Sequence, residues 1–164
     1  MTKKVIFWDL DGTLAKWNAQ ATMKDIVMPG YFANLAPEVH LVQLANMIAS
    51  FQCCDSYVLS HYIPETQALA DKKVWCKKYL PQIQPEHLLF VPCGVAKATY
   101  INDLMKHDIQ DNYILIDDNS GNLRNWQAAG GHAVKWLNKI NGVNQTFTGP
   151  RLDQAEKVAE EIFV

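Results

Sequence analysis

Short runs of consecutive apolar residues alternate along the chain with longer stretches in which apolar side chains return every three or four positions. The runs at Val5–Trp8, Ser56–Leu59, His87–Pro92, Asn112–Ile116 and His132–Asn138 read as strands. Val5–Trp8 is apolar on both faces, the pattern of a central parallel strand with helices on either side. Between the runs, Glu38–Phe51 carries a helical stripe through Val39, Leu41, Val42, Leu44, Ala45, Met47 and Ile48. Further helices are predicted over Pro64–Tyr79, from Lys97 to about His107, over Gly121–Ala128 and over Asp153–Phe163. Strands alternating with helices predict an α/β fold: a doubly wound, Rossmann-like parallel sheet of five strands. The stretch Ala15–Met28 is polar and mixed, with Trp17 as its one aromatic, and it ends at Pro29-Gly30, which marks a short insertion.

At 164 residues, one domain spanning 1–164 is expected, with little left for a second. The formal net charge of -2 indicates neither a polyanion-binding field nor an acidic tail, so no nucleic-acid partner is expected. The first apolar run breaks at Asp9, short of signal-peptide or membrane-span length, and a cytoplasmic protein with no membrane partner is expected. The four cysteines lack paired metal-ligand spacing and read as reduced, mostly buried thiols. The five histidines form no cluster, and only His61, beside Ser60, draws notice.

Candidate chemistry gathers at the carboxyl ends of the strands, the edge where open α/β sheets bind ligands. Asp9 ends the first strand and Asp11 follows two residues on. Both can face one spot only if the chain leaves the strand between them, a turn that Gly12 permits. Converging carboxylates repel, and Mg²⁺ is the ordinary way to hold both ionised. A lone pair of aspartates reads equally well as a polar turn. Asp117-Asp118 repeats the arrangement at the end of the fourth strand, either as metal ligands or as caps for the next helix, with Asn119 or Ser120 as alternative caps. Ser60 at the second strand end suits a phosphoryl oxygen or a cap, and Lys97 opens the helix after the third strand.

The string Asp9-Leu10-Asp11-Gly12-Thr13 after an apolar strand resembles the first motif of the haloacid dehalogenase (HAD) superfamily of aspartate-nucleophile phosphohydrolases. The resemblance extends to Ser60, Lys97 and Asp117-Asp118 as the second, third and fourth motifs, and makes the insertion at about 15–30 a minimal cap. Met28-Pro29-Gly30-Tyr31-Phe32 and the Lys72-x-x-Trp75 stretch running to Tyr79-Leu80 are similar to the 5'-nucleotidase and 5'(3')-deoxyribonucleotidase branch. That similarity makes Lys72 a rival to Lys97 as the phosphate-stabilising lysine. The resemblance implies a Mg²⁺-dependent phosphomonoester hydrolase working through an aspartyl-phosphate. Asp9 would be the nucleophile and Asp11 the acid–base group. Gly12, Thr13 and His61 would line the substrate, and Asp9, Asp11, Asp117 and Asp118 would hold the metal, Asp11 through its backbone carbonyl. The implied substrate is a small phosphate ester, foremost a 5'-(deoxy)nucleotide. A macromolecular or other small phosphoester, or a non-catalytic HAD-like binding module, are the alternatives; oligomeric state is left open.

Overall fold

The computed structural model of the chain describes residues 3–141 and 146–163. At its centre lies β1 (Lys4–Trp8), buried from Val5 onward. Side chains alternate across a strand, so Val5 and Phe7 enter one core while Ile6 and Trp8 enter another on the opposite face. The neighbours of β1 are β2 (Cys54–Tyr62) and β4 (Tyr113–Asp117). With β3 (Leu88–Pro92), β5 (His132–Trp136) and β6 (Arg151–Leu152) they make a parallel sheet in the order β3-β2-β1-β4-β5-β6. The sheet therefore has six strands, not the expected five. The sixth is two residues long, behind Gly149-Pro150, too short to show any periodicity.

The chain first lays down α1 (Met23–Ile26), a single turn inside the insertion. Then α2 (Val39–Ala49), α3 (Ala68–Tyr79) and the terminal α6 (Ala155–Phe163) cover the Ile6 and Trp8 face. The other face is covered by α4 (Lys97–Met105) and α5 (Ser120–Ala128), whose Ile101, Leu123 and Trp126 pack with Phe7. Trp8, Trp75 and Trp126 are almost wholly buried, and each indole N–H donates a hydrogen bond, to Ser56 Oγ, Leu35 O and Tyr113 O respectively. Leaving such a donor unmet costs about 1–3 kcal/mol, so these partners fix the ring orientations. No helix among the described residues is long and apolar enough to cross a membrane.

Strand order grows one way from β1 to β3 and then returns to β4, so the crevice between the carboxyl ends of β1 and β4 is the topological switch point. β2 is longer than its apolar run. Trp8 pairs with Val58, so Ser60 stands beyond the end of β1, and residues 60–62 pair with β3. Its hydroxyl thus lies level with the loop after Asp9 although the strand continues. The insertion returns to the body across α3: the Gly30 N–H donates to Asp71 Oδ2 at 2.8 Å, and the Trp75 indole N–H to Leu35 O at 2.8 Å. The Lys72 ammonium lies 4.4 Å from the centre of the Phe32 ring, and the side chain is 2% exposed.

Candidate active site

The Asp9 N–H donates to Ile116 O at 3.0 Å, which carries the β1–β4 ladder one residue past the strand and fixes Asp9 in the crevice. A tight loop then turns the chain away, closed by Ala15 N–H donating to Leu10 O at 2.7 Å and by Gly12 N–H donating to Ala15 O at 2.8 Å. Gly12 has φ +88°, and a Cβ there would overlap Asp118 Oδ2. A glycine is needed at this point both for the turn and for the space.

Asp9, Asp117 and Asp118, all buried, each bring a carboxylate oxygen to within 4.8 Å of the others. The Lys97 ammonium donates to Asp9 Oδ1 and to Asp117 Oδ2, both at 2.7 Å, and is itself buried. Asp117 is held further by the Asn119 N–H at 2.8 Å and by Asn122 Nδ2 at 3.0 Å. The Asp11 carboxylate stands outside this group. It pairs with Lys72, whose ammonium also donates to Ser60 Oγ at 3.1 Å. Thr13 Oγ1 lies 3.4 Å from Asp9 Oδ2, and His61 Nε2 lies 2.8 Å from Val95 O. Asp9, Asp11, His61, Asp117 and Asp118 line one cleft of about 310 Å³, with Trp17 as its aromatic wall.

The electrostatics follow from burial. Desolvation holds the Asp9 carboxyl well above the ordinary carboxylate range against the pull of Lys97, with Asp117, Asp118 and Asp11 adding to the rise. Asp118 is pushed up to about 6, first by burial and then by Asp117, while the Asn141 and Asn138 amides and Lys97 draw it back. Burial works against a charged Lys97, but Asp117 and Asp9 outweigh it and raise its pKa. Three clustered carboxylates against one ammonium leave a residual charge that a divalent cation matches. The all-oxygen donor set suits a hard ion such as Mg²⁺.

The structure thus brings Asp9, Asp11, Ser60, Lys72, Lys97, Asp117 and Asp118 to one crevice, with Gly12, Thr13 and His61 at its edge. Sequence reasoning missed Lys135, Asn138 and Asn141. Lys135, fully buried, donates to Asp118 O at 2.8 Å and to Ser120 Oγ at 2.7 Å. A lysine inside an otherwise apolar strand was the available signal. Asn138 and Asn141 both donate to Asp118 Oδ2 and have no local signature, because they meet it only through the fold. Asn119 caps α5, accepting from Gly121 and Asn122 N–H at 2.8 and 3.1 Å, which leaves Asp117 and Asp118 free of that duty.

No protein-family profile matches the sequence, and no curated protein matches it. Solved structures do resemble the fold. A D,D-heptose 1,7-bisphosphate phosphatase from B. bronchiseptica, complexed with magnesium and phosphate, superposes with a TM-score of 0.66 at 15% identity, covering 98% of each chain. A HAD-superfamily hydrolase from Ehrlichia chaffeensis gives 0.63 at 8% identity, covering 99% of this chain and 98% of its own. The architecture is therefore HAD-like.

Proposed function

We propose that the protein is a Mg²⁺-dependent phosphomonoester hydrolase acting through an aspartyl-phosphate on Asp9, a single HAD-like domain with a minimal cap at about 15–30. The observation that carries this is the buried Asp9 carboxylate, gathered with Asp117 and Asp118 and bonded to Lys97 at the switch point of the sheet. The B. bronchiseptica phosphatase with the same fold holds magnesium and phosphate. Here Asp9, Asp117 and Asp118 would hold the ion, with Asp11 contributing its backbone carbonyl. When bound, Mg²⁺ supplies charge neutralisation for the phosphoryl oxygens and keeps the carboxylates ionised.

Asp9 attacks phosphorus as the bond to the leaving oxygen breaks, and Asp11 delivers a proton to that oxygen. Water then cleaves the acyl-phosphate, with Asp11 taking its proton, which restores both carboxyl groups. Lys97 would bridge the nucleophile and the phosphoryl oxygens, a role that its bonds to Asp9 and Asp117 support. Lys72, bonded to Asp11 and Ser60, would supply a second positive charge near the phosphoryl group.

The substrate on this reading is a small phosphate ester, and the nucleotidase-like segments at Met28–Phe32 and Lys72–Leu80 favour a 5'-(deoxy)nucleotide. Four free thiols fit a cytoplasmic setting. Hydrolysis of p-nitrophenyl phosphate with and without Mg²⁺, followed by a panel of nucleotides, sugar phosphates and phosphopeptides, tests the reading. Wild-type protein should turn over only with the metal, and folded Asp9→Asn should be inactive and form no beryllofluoride adduct. Undiminished turnover by Asp9→Asn would end the mechanism.

A further inference from the structure

Asp118 is constrained unequally at its two oxygens. Oδ2 accepts from Asn138 Nδ2 at 2.8 Å and from Asn141 Nδ2. The same Asn138 nitrogen donates to Gly12 O at 2.8 Å, which ties the loop after β5 to the loop after β1. Asn138 Oδ1 in turn accepts the backbone N–H groups of Ile140 at 2.8 Å and Asn141 at 2.6 Å, so its amide is fixed at both ends. Lys135 holds the Asp118 main chain, and only a glycine at position 12 leaves room for Oδ2. Oδ1, by contrast, accepts no hydrogen bond from the described residues.

We propose that Asn138 and Asn141 are positioning residues that set which divalent cation the acidic cluster accepts. The inference rests on the reading of that cluster as a metal site. With Oδ2 held by two amides, Asp118 offers the ion a single oxygen. Mg²⁺ accepts single carboxylate oxygens in a tight octahedron, whereas Ca²⁺ takes more and longer oxygen contacts and uses carboxylates through both oxygens. For Asp118 to chelate Ca²⁺ its carboxylate must rotate away from both amides. The loop after β5 therefore penalises the larger ion while costing the smaller one nothing. The two asparagines act through Asp118 and need not touch substrate.

Calorimetric titration of metal-free protein with MgCl₂ and with CaCl₂ tests this without any turnover. Wild type should prefer Mg²⁺. The Asn138→Ala/Asn141→Ala protein should shift the ratio of the two affinities toward Ca²⁺ by about 10–100-fold, the usual consequence of losing a group that orients a metal ligand. Asn141→Ala alone, which leaves the Asn138 tie to Gly12 in place, should fold and shift the ratio in the same direction by less. A merely structural role would weaken both ions in parallel, and an unchanged ratio in a folded single variant overturns the proposal while leaving the metal site standing. Wild type that binds neither ion overturns the metal reading along with it.

Discussion

Two buried lysines divide the carboxylates between them, Lys97 with Asp9 and Asp117, Lys72 with Asp11. The division turns the sequence's choice between them into two different roles. On the proposed mechanism a cation bonded to Asp9 stabilises charge that develops in the transition state, so Lys97→Met should lower kcat more than it raises KM, by about 10²–10³-fold. Lys72→Met should cost less turnover and should act mainly through Asp11, while Lys73→Met, on the exposed side of α3, should match wild type. Single-turnover kinetics of the three decide the matter: a silent Lys97→Met beside a dead Lys72→Met would reverse the roles. Tyr31 poses a separate question, since its hydroxyl is buried without a hydrogen-bond partner among the described residues. Removing an unsatisfied buried group relieves its desolvation cost. Tyr31→Phe should therefore melt no lower than wild type, and a clear fall in Tm would show that the hydroxyl has a partner in solution.

At the scale of elements, α3 holds the end of the insertion and the segment after it through Asp71 on Gly30, Lys72 on Phe32 and Trp75 on Leu35. Trp75→Phe keeps the ring but strands the Leu35 carbonyl, and about 1–3 kcal/mol of stability should be lost. Denaturant titration measures that loss, and an unchanged midpoint would mean that the indole bond contributes nothing. The elements also show where the sequence was legible. The central strand was readable because burial on both faces leaves an unbroken apolar run, Val5–Trp8, and four other strands of the sheet because each keeps a short, largely apolar run. Asp9, Asp117 and Asp118 were readable because they end such runs. β6 was not, since its two residues gain their geometry from pairing Arg151 with Lys135 and Leu152 with Trp136, not from a local pattern. Asn138 and Asn141 were equally silent: an asparagine in a loop reads as a turn residue until the fold carries it to a carboxylate. The two lysines were visible, and so was the reach of Lys97 toward Asp9, but its second partner Asp117 and the pairing of Lys72 with Asp11 were not, because those carboxylates lie on other strands' loops and ends.

For the whole molecule, concentrating carboxylates at one sheet edge ties stability to pH and to metal. Burial pushes Asp118 up to about 6 in the fold, against about 4 for an exposed aspartate, and displaces Asp9 in the same direction. Between those two values the folded protein keeps protons that the unfolded chain has released. The unfolded state then binds fewer protons, so Asp118's contribution to stability falls as pH rises from about 4 to 6 and stays lost above, and Asp9 contributes in the same sense. On the proposed metal reading a divalent cation would bind the ionised cluster and compete with those protons, so its stabilisation should grow over the same interval. The increase in Tm on adding Mg²⁺ should accordingly be larger at pH 7.5 than at pH 5. In Asp118→Asn, which removes one of the titrating ligands, the metal-dependent increase should shrink and lose most of its pH dependence. Differential scanning fluorimetry across that range, with EDTA as the metal-free reference, measures both. Equal Mg²⁺ shifts at the two pH values would mean that the buried carboxylates are already ionised without the metal, and that the cluster is neutralised from within by Lys97.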